Sequence, residues 1–216
     1  MAQPTEASFL CLLDVVRYLN GTPDLAIKAP LHGDEPRWEH YVDAGHAGNP
    51  KIDAKCRPHQ GIISLNRGAP ILWKSFLGGT AVAFPELAPD GHSVRSSGEA
   101  ETFVASNAID ENLHLSYVVE ETGQPPIPRP FQLQSDATVA IAFSRAETGK
   151  SRMKHIDCRQ GWVRQLRDKD LVKLVKVDTK VNLADTFTKL LRGQIFLNLR
   201  RRFMDMLPAW MRPTRQ

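Results

Sequence analysis

At 216 residues, with 42% apolar and 24% charged side chains, the chain is long enough for one domain, or one domain with an appendage, and too apolar for a wholly disordered polymer. No apolar run approaches the roughly 20 residues of a membrane span, and the stretch 9–19 carries Asp14 and Arg17 with no basic flank, so neither a membrane segment nor a secretory leader is expected. The net charge of +4 conceals an asymmetry: residues 1–144 hold 10 Lys and Arg against 17 Asp and Glu, and residues 145–216 hold 18 against 7. A basic last third suits a polyanion partner, and it equally suits two charged faces that neutralise each other across a fold.

Segment 5–20 places Phe9, Leu12, Leu13, Val16 and Leu19 at helical spacing behind Pro4, and Asn20, Gly21 and Pro23 stop it. A polar stretch with Gly33 and Pro36 reads as a linker. From Trp38 the pattern is strand-like, with runs at 38–44, 60–66 and 70–75 and a hairpin signal at Asn66, Arg67 and Gly68. Trp73 and Lys74, near the end of the third run, read as core and rim. Residues 76–95 carry Gly78, Gly79, Pro85, Pro89 and Gly91 without a clean period and read as an extended loop. Ser96 with Glu99 three residues on is a capping-box pattern, opening a helix over 96–121. Pro125, Pro126, Pro128 and Pro130 then force extended chain, before a strand at 131–135 and a helix at 136–146.

A basic helix over 152–168 turns Met153, Ile156, Val163 and Leu166 inward, and 171–177 reads as a strand. Asn182 is expected to cap a helix carrying Leu183, Ala184, Phe187 and Leu190, with Gly193 ending it. A last amphipathic helix shows Phe196, Leu199, Phe203 and Met206, with Arg200, Arg201 and Arg202 beside that stripe. Those three arginines suit either a duplex backbone or a solvated face. The order of elements is an α/β fold with an antiparallel start. Cys11, Cys56 and Cys158 form no CxxC pair and read as free thiols of a reducing, intracellular compartment. His40, His46 and His59 lack metal-ligand spacing, so zinc is not expected.

Four acids fall where predicted strands end or helices begin: Asp43, Glu101, Asp136 and Asp185. A carboxylate near a helix start is favoured by the helix dipole and is unremarkable alone. Four together would make an oxygen cage suited to hard divalent cations. Spacing alone does not bring them together.

Seven blocks, in order, carry a resemblance. They are VVRYLNGTPDLAI at 15–27, YVDAGHAGNP at 41–50, CRPHQGIISLNRGAPILWKS at 56–75, SSGEAETFVA at 96–105, QSDATVAI at 134–141, MKHIDCRQGWVRQ at 153–165 and NLADTFTKLL at 182–191. The set resembles the ribonuclease H domain at the end of copia-type retrotransposon Pol polyproteins. The first block resembles the close of their reverse transcriptase region.

That resemblance implies a ribonuclease H-like fold, a mixed five-stranded sheet with three antiparallel strands first, flanked by helices. It implies a helix and linker at 1–35, the ribonuclease H-like domain at 36–207 with the extended loop 76–95, and a tail at 208–216. The implied activity is metal-dependent endonucleolytic hydrolysis of the RNA strand of an RNA–DNA hybrid. Asp43, Glu101, Asp136 and Asp185 are then both the catalytic acids and the ligands of two Mg²⁺ ions, with Mn²⁺ as a substitute. Glu101 is preferred to Glu99 because Ala105 follows four residues on. Lys150, Arg152, Lys154, His155 and Arg159 are the expected nucleic-acid contacts. The expected partners are the hybrid and the reverse transcriptase portion of a Pol polyprotein, with no membrane. Gly45, His46, Ala137 and Leu190 depart from the usual pattern of Asp, Trp, Asn and Pro. They motivate the alternative reading, a catalytically inactive remnant that serves as a nucleic-acid-binding or structural module.

Overall fold

The computed structural model describes residues 5–29, 35–45, 58–78, 97–137, 154–208 and 211, with the side chains of 97–99 and 154–160 left aside. The elements run α1 (Glu6–Gly21), β1 (Leu25–Ile27), β2 (Trp38–Gly45), β3 (His59–Asn66), β4 (Ala69–Leu77), α2 (Ser97–Glu121), β5 (Phe131–Ser135), α3 (Lys154–Asp168) and β6 (Val172–Lys176). A 3₁₀ turn (Thr179–Val181), α4 (Asp185–Thr188), α5 (Gly193–Phe203) and β7 (Met204–Met206) follow.

Strands β4-β3-β2-β5-β6 form one five-stranded sheet in that order. The pairs β2–β3 and β3–β4 are antiparallel, while β2–β5 and β5–β6 are parallel. This is the mixed sheet with three antiparallel strands first that the resemblance implies. The β3–β4 turn uses Arg67 and Gly68 at φ 54° and 78°, the left-handed pair a two-residue hairpin loop requires.

Alternation along the strands divides the core. Val42, Ala44 and Ile62 pack with Ala100, Val104, Ala108 and Ile109 of α2 and Val163 of α3. Tyr41, Ile63 and Leu65 pack on the other side with Leu183, Ala184 and Leu199. Helices therefore cover both faces, and β2 is buried along most of its length.

Several expectations give way. Phe76 and Leu77 belong to β4 and not to the extended loop, whose remainder from 79 lies outside the described residues. Ser96 of the capping box lies outside them too. Asp136 and Ala137 are not helical, and the rest of the helix expected at 136–146 is outside the described residues. Trp73 is half-exposed, because β4 is an edge strand.

Asn182 does not cap a long helix. It ends the 3₁₀ turn, donates its side-chain amide to the Val42 carbonyl at 3.1 Å and accepts from the Ala184 N–H at 3.2 Å. That buried amide is committed to the sheet, and the helix that follows spans only four residues, Asp185–Thr188, behind Ala184 and without a side-chain cap. Leu190, expected on its apolar stripe, is left 90% exposed. Gly193, at φ 60°, opens α5 instead of closing its predecessor. The stretch before the main sheet contains a strand not expected from sequence: Leu25, Ala26 and Ile27 pair antiparallel with Met206, Asp205 and Met204. Met206 is thus in a strand and half-exposed, not on a helical stripe.

Candidate metal centre at the end of the sheet

Strand register brings the first two acids side by side. Val42 pairs with Ser135 in parallel β2 and β5, so the next residues, Asp43 and Asp136, leave adjacent strands together. Helix α2 packs across β2 and brings Glu101 to the same place. Asp43, Glu101 and Asp136 each offer a carboxylate oxygen within 4.8 Å of the others.

The fourth acid arrives on α4, and a glycine makes that possible. Gly61 pairs with Asp43 across β2 and β3. A Cβ there would lie 2.8 Å from the Ala184 carbonyl oxygen and 2.9 Å from both Phe187 Cβ and Thr188 Cγ2. Only the bare backbone lets α4 settle against β3. Asp185 is then buried, and Lys189, at the end of α4, lies one turn beyond it.

Lys189 joins Asp185 to the other acids. Its Nζ lies 2.9 Å from Asp185 Oδ1, 3.2 Å from Asp43 Oδ1 and 3.9 Å from Asp136 Oδ2. Two hydroxyls fix the carboxylates it faces. Thr188 Oγ1 donates to Asp43 Oδ2, and Thr179 Oγ1 donates to Asp136 Oδ2 at 2.8 Å. The Lys176 ammonium donates to the Asp136 carbonyl.

The electrostatics are those of crowded, shielded acids. Burial, then Asp43 and Asp136, push Glu101 up to about 8 against the pull of the Ala44 backbone and Lys189. Burial likewise pushes Asp185 up to about 6, against its hydrogen bond from Lys189 and with the repulsion of Asp43. For Lys189, burial favours the neutral form, but Asp185, Asp43 and Asp136 outweigh it and raise its pKa above the ordinary lysine value. The chemistry of the donor set fits a hard divalent cation: all-oxygen, anionic and grouped. One oxygen has no other use, since buried Glu101 Oε2 has no hydrogen-bond partner among the described residues.

The structure thus gathers Asp43, Glu101 and Asp136 directly and Asp185 through Lys189. Of the expected nucleic-acid contacts, Lys150 and Arg152 lie outside the described residues; Lys154, His155 and Arg159 lie on α3, where only the helix itself is described. Arg200 and Arg202 have contacts within the chain. Arg200 donates to the Tyr18 hydroxyl at 3.0 Å and lies over the Phe196 ring, and Arg202 pairs with Glu39 at 2.9 Å. Sequence reasoning assigned no role to Lys189, Thr188 or Thr179. The i, i+4 spacing of Asp185 and Lys189 was the available signal for the first.

No protein-family model matches the chain. It is 30% identical over 175 residues, 81% of its length, to the retrovirus-related Pol polyprotein from transposon TNT 1-94 of Nicotiana tabacum. It is also 30% identical over 206 residues, 94% of its length, to that from transposon RE2 of Arabidopsis thaliana. The chain spans only 12% and 13% of those relatives. Among solved structures it is similar to LC11-RNase H1, isolated from compost, at TM-score 0.47 and 12% identity, over 70% of this chain and 91% of that one. It is also similar to the protease-reverse transcriptase of prototype foamy virus at TM-score 0.44 and 13% identity, over 81% of this chain and 21% of that one. The chain is homologous to a segment of the retrovirus-related Pol polyproteins from transposons.

Proposed function

We propose that the chain is a metal-dependent endonuclease that hydrolyses the RNA strand of RNA–DNA hybrids, within or derived from a copia-type Pol polyprotein. The observation that carries this reading is the meeting of Asp43, Glu101 and Asp136 within 4.8 Å, with a buried Glu101 oxygen left unpartnered among the described residues. Asp43, Glu101, Asp136 and Asp185 would hold two Mg²⁺ ions, or Mn²⁺, which when bound supply a polarised water and neutralise charge at the attacked phosphate.

The chain's own residues prepare that chemistry. Thr188 and Thr179 hold the Asp43 and Asp136 carboxylates in fixed orientations. Gly61 seats α4 so that Asp185 reaches the cluster. Basic α3, with Lys154, His155 and Arg159 and with Lys150 and Arg152 ahead of it, would take the phosphates of the hybrid, which position a duplex without reading it. A 2′-hydroxyl at the cut strand distinguishes RNA from DNA. The reverse transcriptase portion of a Pol polyprotein is the protein partner this reading implies. Among the described residues no helix is long and apolar enough to cross a membrane. Cys11 is a free, exposed thiol, which suits a reducing, intracellular setting.

Incubation of the purified chain with a labelled hybrid, with and without Mg²⁺, tests the reading. Metal-dependent cleavage that Asp43→Asn abolishes supports it. Hybrid binding without cleavage by the unmodified chain favours the inactive binding module instead.

A further inference from the structure

Lys189 forms ion pairs with three of these acids. It stands against three of the four carboxylates that the proposed function assigns to Mg²⁺. Its Nζ shares the Asp43 and Asp185 oxygens at 3.2 and 2.9 Å. A Mg²⁺ ion would need such oxygens at about 2.0–2.1 Å in near-octahedral array. An ammonium and a divalent cation on the same oxygens repel each other at that range in a partly shielded site, so each weakens the hold of the other. The acids cannot turn aside to serve both. Asp43 is 2% and Asp185 4% exposed in their side chains, and the second oxygen of Asp43 already accepts from Thr188.

Lys189, by contrast, can leave. Its side chain is 37% exposed. The residue lies just past the last residue of α4, and Leu190 beside it is 90% exposed. The four-carbon stem can swing the strongly hydrated ammonium into solvent while the backbone stays in place.

We propose that Lys189 is a resident counter-cation of the carboxylate cluster, and that a divalent ion occupies the cluster by displacing its ammonium. The inference rests on the metal-binding reading above and adds a built-in competitor to it. In the metal-free chain Lys189 holds together acids that would otherwise repel one another. The affinity for Mg²⁺ is therefore weaker than the four carboxylates alone would give. Lys189 is a positioning residue in this sense, acting through the acids.

Calorimetric titration with magnesium chloride compares the unmodified chain, Lys189→Met and Lys189→Arg. Lys189→Met should bind Mg²⁺ about tenfold more tightly, while Lys189→Arg, which keeps the charge, should not. The gain in melting temperature from saturating Mg²⁺ should be larger for Lys189→Met, because tighter binding to the folded state adds stability. The unmodified chain supplies an independent reading. Its Lys189 ammonium protons, shielded by the acids, should give an NMR signal without Mg²⁺ that is lost to fast solvent exchange at saturation. Equal or weaker Mg²⁺ binding by Lys189→Met, or a signal that persists at saturation, overturns the displacement alone. Absence of Mg²⁺ binding by the unmodified chain and all variants overturns the metal-binding reading along with it.

Discussion

Helices α1 and α4 reverse the usual relation between sequence signal and structural role. α1 has 16 residues, a Thr5 side chain accepting from the Ser8 N–H, and apolar residues at helical spacing, yet it buries none of them. Phe9, Leu12 and Leu19 are each more than half exposed. α4 has four residues and no side-chain cap, yet it buries Asp185 and carries Thr188 and Lys189 to the acids. Local helical signal measures how readily a segment winds, not whether the fold has a seat for it. For α4 the seat is made by Gly61, with three strands between them in sequence and directly across from Asp43.

The largest expected effect lies at the acids α4 serves. Asp43→Asn keeps the shape of the side chain and removes its charge. Loss of groups one shell further out from a metal typically reduces activity about 10–100-fold, so removal of a ligand should lower hybrid cleavage by at least about a hundredfold. Circular dichroism should show the fold retained, since the substitution relieves repulsion among acids.

Gly61→Ala tests the seat itself. The new Cβ meets the Ala184 backbone and Phe187, so α4 must shift. Overpacking of this kind costs about 1–3 kcal/mol, measurable by denaturant titration. A displacement near 1 Å also removes roughly a hundredfold in rate from a positioned site. A variant that matches the unmodified chain in both would break the contrast between the two helices.

His40 probes the shielded sheet that α4 leans on. It is 1% exposed, its Nδ1 lies 3.0 Å from Ser64 Oγ, and burial lowers its pKa to about 4. Ser64 donates its only proton to Asn112 Oδ1 at 2.6 Å, so His40 donates to Ser64 as the neutral Nδ1–H tautomer. The unfolded chain takes up the proton near pH 6.5 and the folded chain only near 4. Stability contributed by neutral His40 is therefore present above pH 6.5, falls as pH drops toward 4, and levels off below. The span corresponds to about 3 kcal/mol. Thermal melts across that window should show a steeper decline than for His40→Gln.

The smallest effect belongs to α1. Leu12→Gln on its exposed face should change the stability of the isolated chain by no more than about 0.5 kcal/mol. A larger loss would mean that α1 is seated after all, and the contrast with α4 would narrow.

The sequence by itself determined the strands of the five-stranded sheet, their hairpin and the long helices, but not the small β1–β7 pair. Alternation in 38–44 and 60–66, the left-handed pair at Arg67 and Gly68, and the apolar period of α1 and α3 are local properties, readable from neighbours along the chain. The candidate acids were legible through their motif context, though their meeting was not. Tertiary structure alone decided three things. The parallel register of Val42 with Ser135 set Asp43 beside Asp136. The bond from Asn182 to the Val42 carbonyl, 140 residues apart in sequence, tied the segment before Asp185 to the sheet. The same docking brought Lys189 among acids up to 146 positions away, so one charge of the basic last third is spent on neutralising the acidic first part. Pairings of that separation depend on which surfaces close together in space, and no period or cap along the chain encodes them.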